Sequence, residues 1–165
     1  MIVQPMTCPV FVGRTKETEA LLDARRALGR SRSAVVLVSG EAGIGKSRLL
    51  EHFLGHVTRD SRPRNLATAE CIEHARRPFG PFRELVNALG GKFSSLAENA
   101  YDKTEVFART LAFFRATAEK RATILTIEDL HWADRSSLEL LTYLAPRIGG
   151  ARLLMVATYR SDGIE

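Results

Sequence analysis

AVVLVSGEAGIGKSRLL, residues 34–50, decides the fold. Ala34, Val35, Val36, Leu37 and Val38 make an apolar, β-branched-rich run, which predicts a strand buried on both faces. The run stops at Gly40. Gly40, four residues, Gly45, Lys46 and Ser47 then satisfy the phosphate-loop pattern, and Leu49, Leu50, Phe53, Leu54 and Val57 recur on one face of a following helix. Strand, glycine loop and helix in that order are the context the pattern requires.

Each residue type has a chemical reason. Backbone N–H groups can wrap a polyphosphate only where no Cβ intervenes, so Gly40, Gly43 and Gly45 permit close approach and positive φ. Glu41, Ala42, Ile44 and Arg48 complete the predicted nucleotide-binding stretch, and the amino end of the helix faces the anion. Lys46 adds a full charge, worth roughly 4 kcal/mol at about 4 Å and an effective dielectric of about 20. Ser47 is the expected hydroxyl ligand of Mg²⁺.

The composition is that of an ordinary globular chain: 165 residues, 45% hydrophobic and 26% charged. Cys8 and Cys71, without CxxC spacing, form neither a disulfide framework nor a metal site, which fits a reducing cytosol. The N-terminus lacks a signal-peptide pattern, and no apolar run approaches the roughly 20 residues that span a bilayer. The expectation is a soluble cytoplasmic protein with no membrane partner. The net charge of +5 is spread over scattered arginines, and Arg59, Arg62 and Arg64 read as a solvated connection. No helix-turn-helix or aromatic stacking platform accompanies them, so no DNA-binding segment is expected.

Around the loop, a helix is predicted from near Thr15, with Leu21, Ala24 and Leu28 on one face, ending at Gly29. Residues 65–71 read as a second strand ending near the site. Pro81 opens a helix carrying Phe82, Leu85, Val86 and Leu89, and residues 92–101 carry the weakest signal in the chain. Asp102 and Glu105 have capping-box spacing before a helix with Phe107, Leu111, Phe114 and Ala118 on its stripe.

Residues 122–127 form a third predicted strand, which delivers Glu128 and Asp129 at its end. Acids there suit a phosphate-loop protein, which must hold Mg²⁺ and orient an attacking water. Glu128 falls at the metal-side position with Ser47, and Asp129 at that of the general base. Asp134 is the expected N-cap of a helix bearing Leu138, Leu141 and Leu144 up to Pro146. His131 beside Trp132 reads more naturally as a packed hinge than as a phosphate ligand. Residues 152–158 form the fourth strand, after which Arg160 has the charge to sense a terminal phosphate.

With FVGR at 11–14, GEAGIGKS at 40–47, IEDLHWAD at 127–134 and ATYR at 157–160, the sequence resembles the nucleotide-binding domain of STAND-branch AAA-type P-loop ATPases. Such domains occur in large ATP-binding LuxR-type transcriptional regulators, in bacterial adenylyl cyclase fusions and, more distantly, in origin-recognition-type AAA proteins. The resemblance implies an α/β three-layer sandwich with a mainly parallel sheet of about four strands, one domain over residues 1–165 that stops before the lid. It implies ATP or ADP with Mg²⁺ as ligands, Val12, Gly13 and Arg14 framing the adenine end, Glu128 and Asp129 as the Walker B pair, and Arg160 as sensor. The catalytic set is then Asp129, Glu128, Lys46 and Arg160. The implied function is a regulatory switch with slow hydrolysis and possible self-association.

The sheet order of such ATPases, lacking a fifth strand here, would leave Val35–Ser39 on an exposed edge. A small-molecule kinase and a non-catalytic interaction module share the phosphate loop. A GTPase is disfavoured because TKET at 15–18 is no base-reading NKxD or TKxD element.

Overall fold

The computed structural model describes residues 14–30, 32–61, 64–74 and 77–161. Helix α1 (Thr15–Ala27) leads through a 3₁₀ turn to β1 (Ala34–Gly40), then α2 (Lys46–Arg59) and β2 (Asn65–Glu70). Helices α3 (Gly80–Ala88), α4 (Phe93–Ala97) and α5 (Lys103–Lys120) precede β3 (Thr123–Glu128). Helix α6 (Arg135–Leu144) and β4 (Leu153–Arg160) follow. The four strands form one parallel sheet in the order β1-β4-β3-β2.

The layers follow from the two-residue period of a strand. Leu125, Ile127, Leu153, Met155 and Ala157 point into the core shared with α3 to α6, which contains Phe82, Phe93 and Phe114. Ile124, Leu154 and Val156 point the other way, onto Leu21, Leu49, Leu50 and Phe53 of α1 and α2. Helices on both faces of a parallel sheet make the three-layer α/β sandwich that the loop context predicts.

Being buried on both faces is a property of β3 and β4, and β1 departs from the expectation. Its Leu37 is 54% exposed, and β1 pairs only with β4 among the described residues. An apolar run looks the same in sequence whether the strand is central or at the edge. The edge position itself matches the order expected from the resemblance.

Three helix details differ from the periodicity reading. In α5 the fully packed stripe is Val106, Thr110, Phe114 and Ala118, while Phe107 and Leu111 are only partly buried beside it. In α6 the buried set is Ser137, Leu140, Leu141 and Leu144, and Leu138 is 41% exposed. The weak stretch after Gly91 contains α4, anchored by the buried Phe93. The caps behave as the side-chain chemistry dictates. Asp102 accepts from the Glu105 amide at 3.0 Å, and Asp134 accepts from the Ser137 amide at 3.0 Å. Asp134 also accepts from the Phe79 amide at 3.2 Å, which fastens the entry of α3 to that of α6.

Candidate functional site

The carboxyl ends of the four strands meet at one edge of the sheet, where ligands of open parallel sheets bind. Gly40 ends β1, Glu70 β2, Glu128 β3 and Arg160 β4, and the register places Gly40 beside Arg160 and Glu70 beside Glu128. Residues far apart in sequence are thereby neighbours.

The loop after β1 has the geometry an anion requires. Gly43 and Gly45 have φ of +74° and +91°, the left-handed region that favours glycine. A Cβ at Gly40 would lie 2.9 Å from Ile44 Cγ2, so a larger residue there would force the Ile44 side chain to shift. Gly45 caps α2 without a side-chain hydrogen bond, so the first-turn N–H groups are not satisfied by a cap. Glu41, Ala42, Ile44 and Arg48 are exposed around this cradle.

Lys46 is only 8% exposed, and its Nζ donates to the carbonyls of Gly40 at 2.8 Å and Glu41 at 2.9 Å. Arg14 Nη2 donates to the Ile44 carbonyl at 2.8 Å, which ties the start of α1 to the loop. Val12 and Gly13 lie outside the described residues.

At the end of β3 the Glu128 carboxylate lies close enough to the Ser47 hydroxyl for that group to lower its pKa. Burial raises the Glu128 pKa above its ordinary carboxylate value, the Ser47 hydroxyl opposes that rise, and the nearby charges of Glu70, Asp129 and Glu51 add to it. A half-buried carboxylate made costly to ionise by desolvation and by neighbouring acids is one that a divalent cation relieves. A hydroxyl and one or two carboxylates are also the protein donors that Mg²⁺ takes alongside phosphate and water. The residues present therefore fit that ion.

Asp129 has φ of +53°, and its amide donates to Thr158 Oγ1 at 3.0 Å. The buried Thr158 thus fixes the turn after β3 from the neighbouring strand β4. His131 Nδ1 lies 3.8 Å from Asp129 Oδ1, and its ring packs 4.8 Å from that of Trp132. The Arg160 guanidinium sits 5.8 Å from the Trp132 ring centroid, a long cation–π approach. Trp132 consequently stands between the turn carrying Asp129 and the arginine ending β4.

Glu70 and Thr158 are the members that sequence reasoning passed over. Glu70 had a signal, because NLATAE ends in an acid as TILTIE does, and equal strand lengths put the two side by side. Thr158 had none, since a threonine inside a strand reads simply as strand. Cys71, just beyond Glu70, is buried with its thiol pushed up to about 12 by burial and by surrounding carboxylates led by Glu84 and Asp134. It is an unreactive core residue.

A glycine cradle opening a helix at the carboxyl edge of a parallel sheet, with an acid from a distant strand against its serine, defines a phosphate-loop nucleotide-binding domain. The chain belongs to the AAA ATPase domain family, whose model matches residues 10–156.

No curated protein matches the sequence. Among solved structures, the chain is similar to one titled Structure of Drosophila ORC bound to DNA, at 18% identity and a TM-score of 0.65, covering 96% of this chain and 41% of that one. It is also similar to the Aeropyrum pernix ORC2 protein in ADPNP-ADP complexes, at 15% identity and a TM-score of 0.61, covering 96% of this chain and 44% of that one. At these identities the likeness concerns the fold. The chain spans less than half the length of either structure. Among the described residues no helix is long and apolar enough to cross a membrane.

Proposed function

We propose that the domain is an ATP-binding regulatory switch of the STAND type, with slow Mg²⁺-dependent hydrolysis, as in LuxR-type transcriptional regulators. The observation that carries this reading is the glycine cradle with Lys46 folded into it at the amino end of α2, at the same sheet edge to which β3 delivers Glu128. Support also comes from the solved relative in ADPNP-ADP complexes.

In this reading the amides of Gly43 to Ser47 and the ammonium of Lys46 bind the phosphates, with Arg14 bracing the loop from behind at Ile44. Mg²⁺, held by Ser47 and Glu128, would neutralise phosphate charge. Asp129, positioned through Thr158, accepts the proton of an attacking water. Arg160 reports the terminal phosphate, and since it shares Trp132 with the turn carrying Asp129, a change at one reaches the other. Such a switch works only if ATP and ADP make different contacts, and a terminal phosphate touching Lys46, Asp129 and Arg160 is such a difference.

Calorimetric titration with ATP and ADP, with and without Mg²⁺, tests the proposal. Tight binding of both nucleotides, strengthened by Mg²⁺ for ATP, with turnover well below one per second, is the expected outcome. No binding of either would leave a non-catalytic interaction module. Rapid phosphoryl transfer to a small acceptor would make it a kinase.

A further inference from the structure

At the amino ends of the strands, the pole of the sheet away from the phosphate loop, lies a cavity of about 850 Å³. Arg25 and Arg26 of α1, Arg64 before β2, Lys120 and Arg121 at the end of α5, and Arg152 before β4 line it. Asp60 is the one carboxylate among the lining residues. The chain holds 24 Lys and Arg against 19 Asp and Glu; with the cavity's six cations and one acid set aside, 18 of each remain. The lining is therefore strongly basic, six cations to one acid.

Asp60 cannot neutralise its neighbours alone. Its Oδ2 accepts from Arg25 Nη1 at 3.2 Å and from Arg64 Nη2 at 2.8 Å, so two guanidinium groups share one oxygen. The Arg64 side chain is 10% exposed, and among the described residues its buried Nη1 has no hydrogen-bond partner. A buried, ionised donor without an acceptor costs folding free energy, on the order of 1–3 kcal/mol or more. Such a group calls for a partner that the described side chains do not supply, an ordered water or an anion from outside. Arg64, which the sequence places in a solvated connection, is instead packed against the wall of this cavity.

We infer that the cavity binds a compact polyphosphate anion, a small molecule carrying several phosphate groups. The oxyanion complements Arg64 Nη1 and draws on the exposed cations of Lys120 and Arg121 at the rim. Guanidinium suits phosphate because its planar fork donates two parallel hydrogen bonds. Shape selects the class of ligand. The cations converge on a concavity within the roughly 300–1,000 Å³ of small-molecule pockets, whereas a nucleic-acid strand calls for cations spaced along an open groove.

Titration of inorganic tripolyphosphate into the ¹⁵N-labelled full chain, followed by amide shifts, tests this without assuming nucleotide binding. Two groups of amides saturate independently, one spanning Gly43 to Ser47 and one spanning Arg64, Asn65, Arg121 and Ala122. The double variant Lys120→Glu, Arg121→Glu, which leaves the buried members of the cavity in place, weakens the second group at least tenfold and leaves the first unchanged. Raising ionic strength from about 50 to about 200 mM weakens the second group several-fold.

Shifts confined to the phosphate loop would overturn the inference, as would a reversed variant titrating like the wild type. A short DNA duplex saturating the second group at lower phosphate concentration than tripolyphosphate would overturn it in favour of nucleic acid. Shifts at the second group alone would uphold it and remove the support for nucleotide at the loop.

Discussion

The two poles of the sheet present positive charge by different means. At the carboxyl pole the cradle is backbone: left-handed glycines, an uncapped helix start and one lysine. At the amino pole it is side chain, with six cations from four stretches of chain converging on one cavity. Backbone donors are fixed in number and direction by the fold, so that pole can be selective for phosphate geometry. Side-chain cations supply charge with little built-in direction, and their attraction is more sensitive to salt.

The contrast would break first at Lys46. Lys46→Ala is expected to lower ATP affinity more than 100-fold, in line with an ion pair worth roughly 4 kcal/mol. Ile44→Ala should change it less than about threefold, and nucleotide titration of both variants reads the difference. Equal affinities would mean the backbone pole does not hold nucleotide.

Next in size is Gly45→Ala. A Cβ at φ of +91° costs about 1–2 kcal/mol. Urea unfolding should show that loss with an unchanged m-value, and a neutral result would mean the loop relaxes without strain.

Glu128→Gln tests the charge at the carboxyl pole. A carboxyl whose folded-state pKa is raised withholds stability wherever it is ionised, so the penalty is absent below the ordinary value of 4.5 and grows as pH rises through the folded one. The glutamine variant should therefore melt higher than wild type at pH 7, by an amount typical of relieved functional sites, about 0.5–1 kcal/mol. The advantage should shrink as pH falls toward 4.5. A lower melting temperature at pH 7 would show that the stabilising influence of Ser47 on the ionised carboxylate outweighs burial.

The smallest effect on stability concerns the edge. Leu37→Lys, at an exposed position of β1, should change unfolding free energy by less than about 0.5 kcal/mol while reducing any self-association seen by sedimentation. A wild-type chain that is monodisperse at all concentrations would contradict edge pairing.

The same contrast explains how much was legible in the sequence. The phosphate loop is contiguous, and each of its residues has a local reason, so strand, glycines and helix could be read in place. The acids ending β3 were legible because a strand delivers its last side chains to one edge. Three other features had no local signature. The exposure of Leu37 depends on what pairs with β1, not on the composition of β1. The phase of α5 was ambiguous because Val106, Phe107, Leu111 and Phe114 fill two adjoining stripes, and only contact with the sheet chooses between them. The basic cavity could not be read at all, because α1, the end of α5 and the starts of β2 and β4 each contribute only one or two cations to it.

Lys46 holds two carbonyl oxygens of its own loop, so a phosphate arriving there competes with an internal ligand rather than with bulk water. Affinity at this lysine is then the difference between two well-coordinated arrangements. A phosphate oxygen carries formal charge where a carbonyl carries only a dipole, so the exchange favours the anion, and the two freed carbonyls must then find new donors.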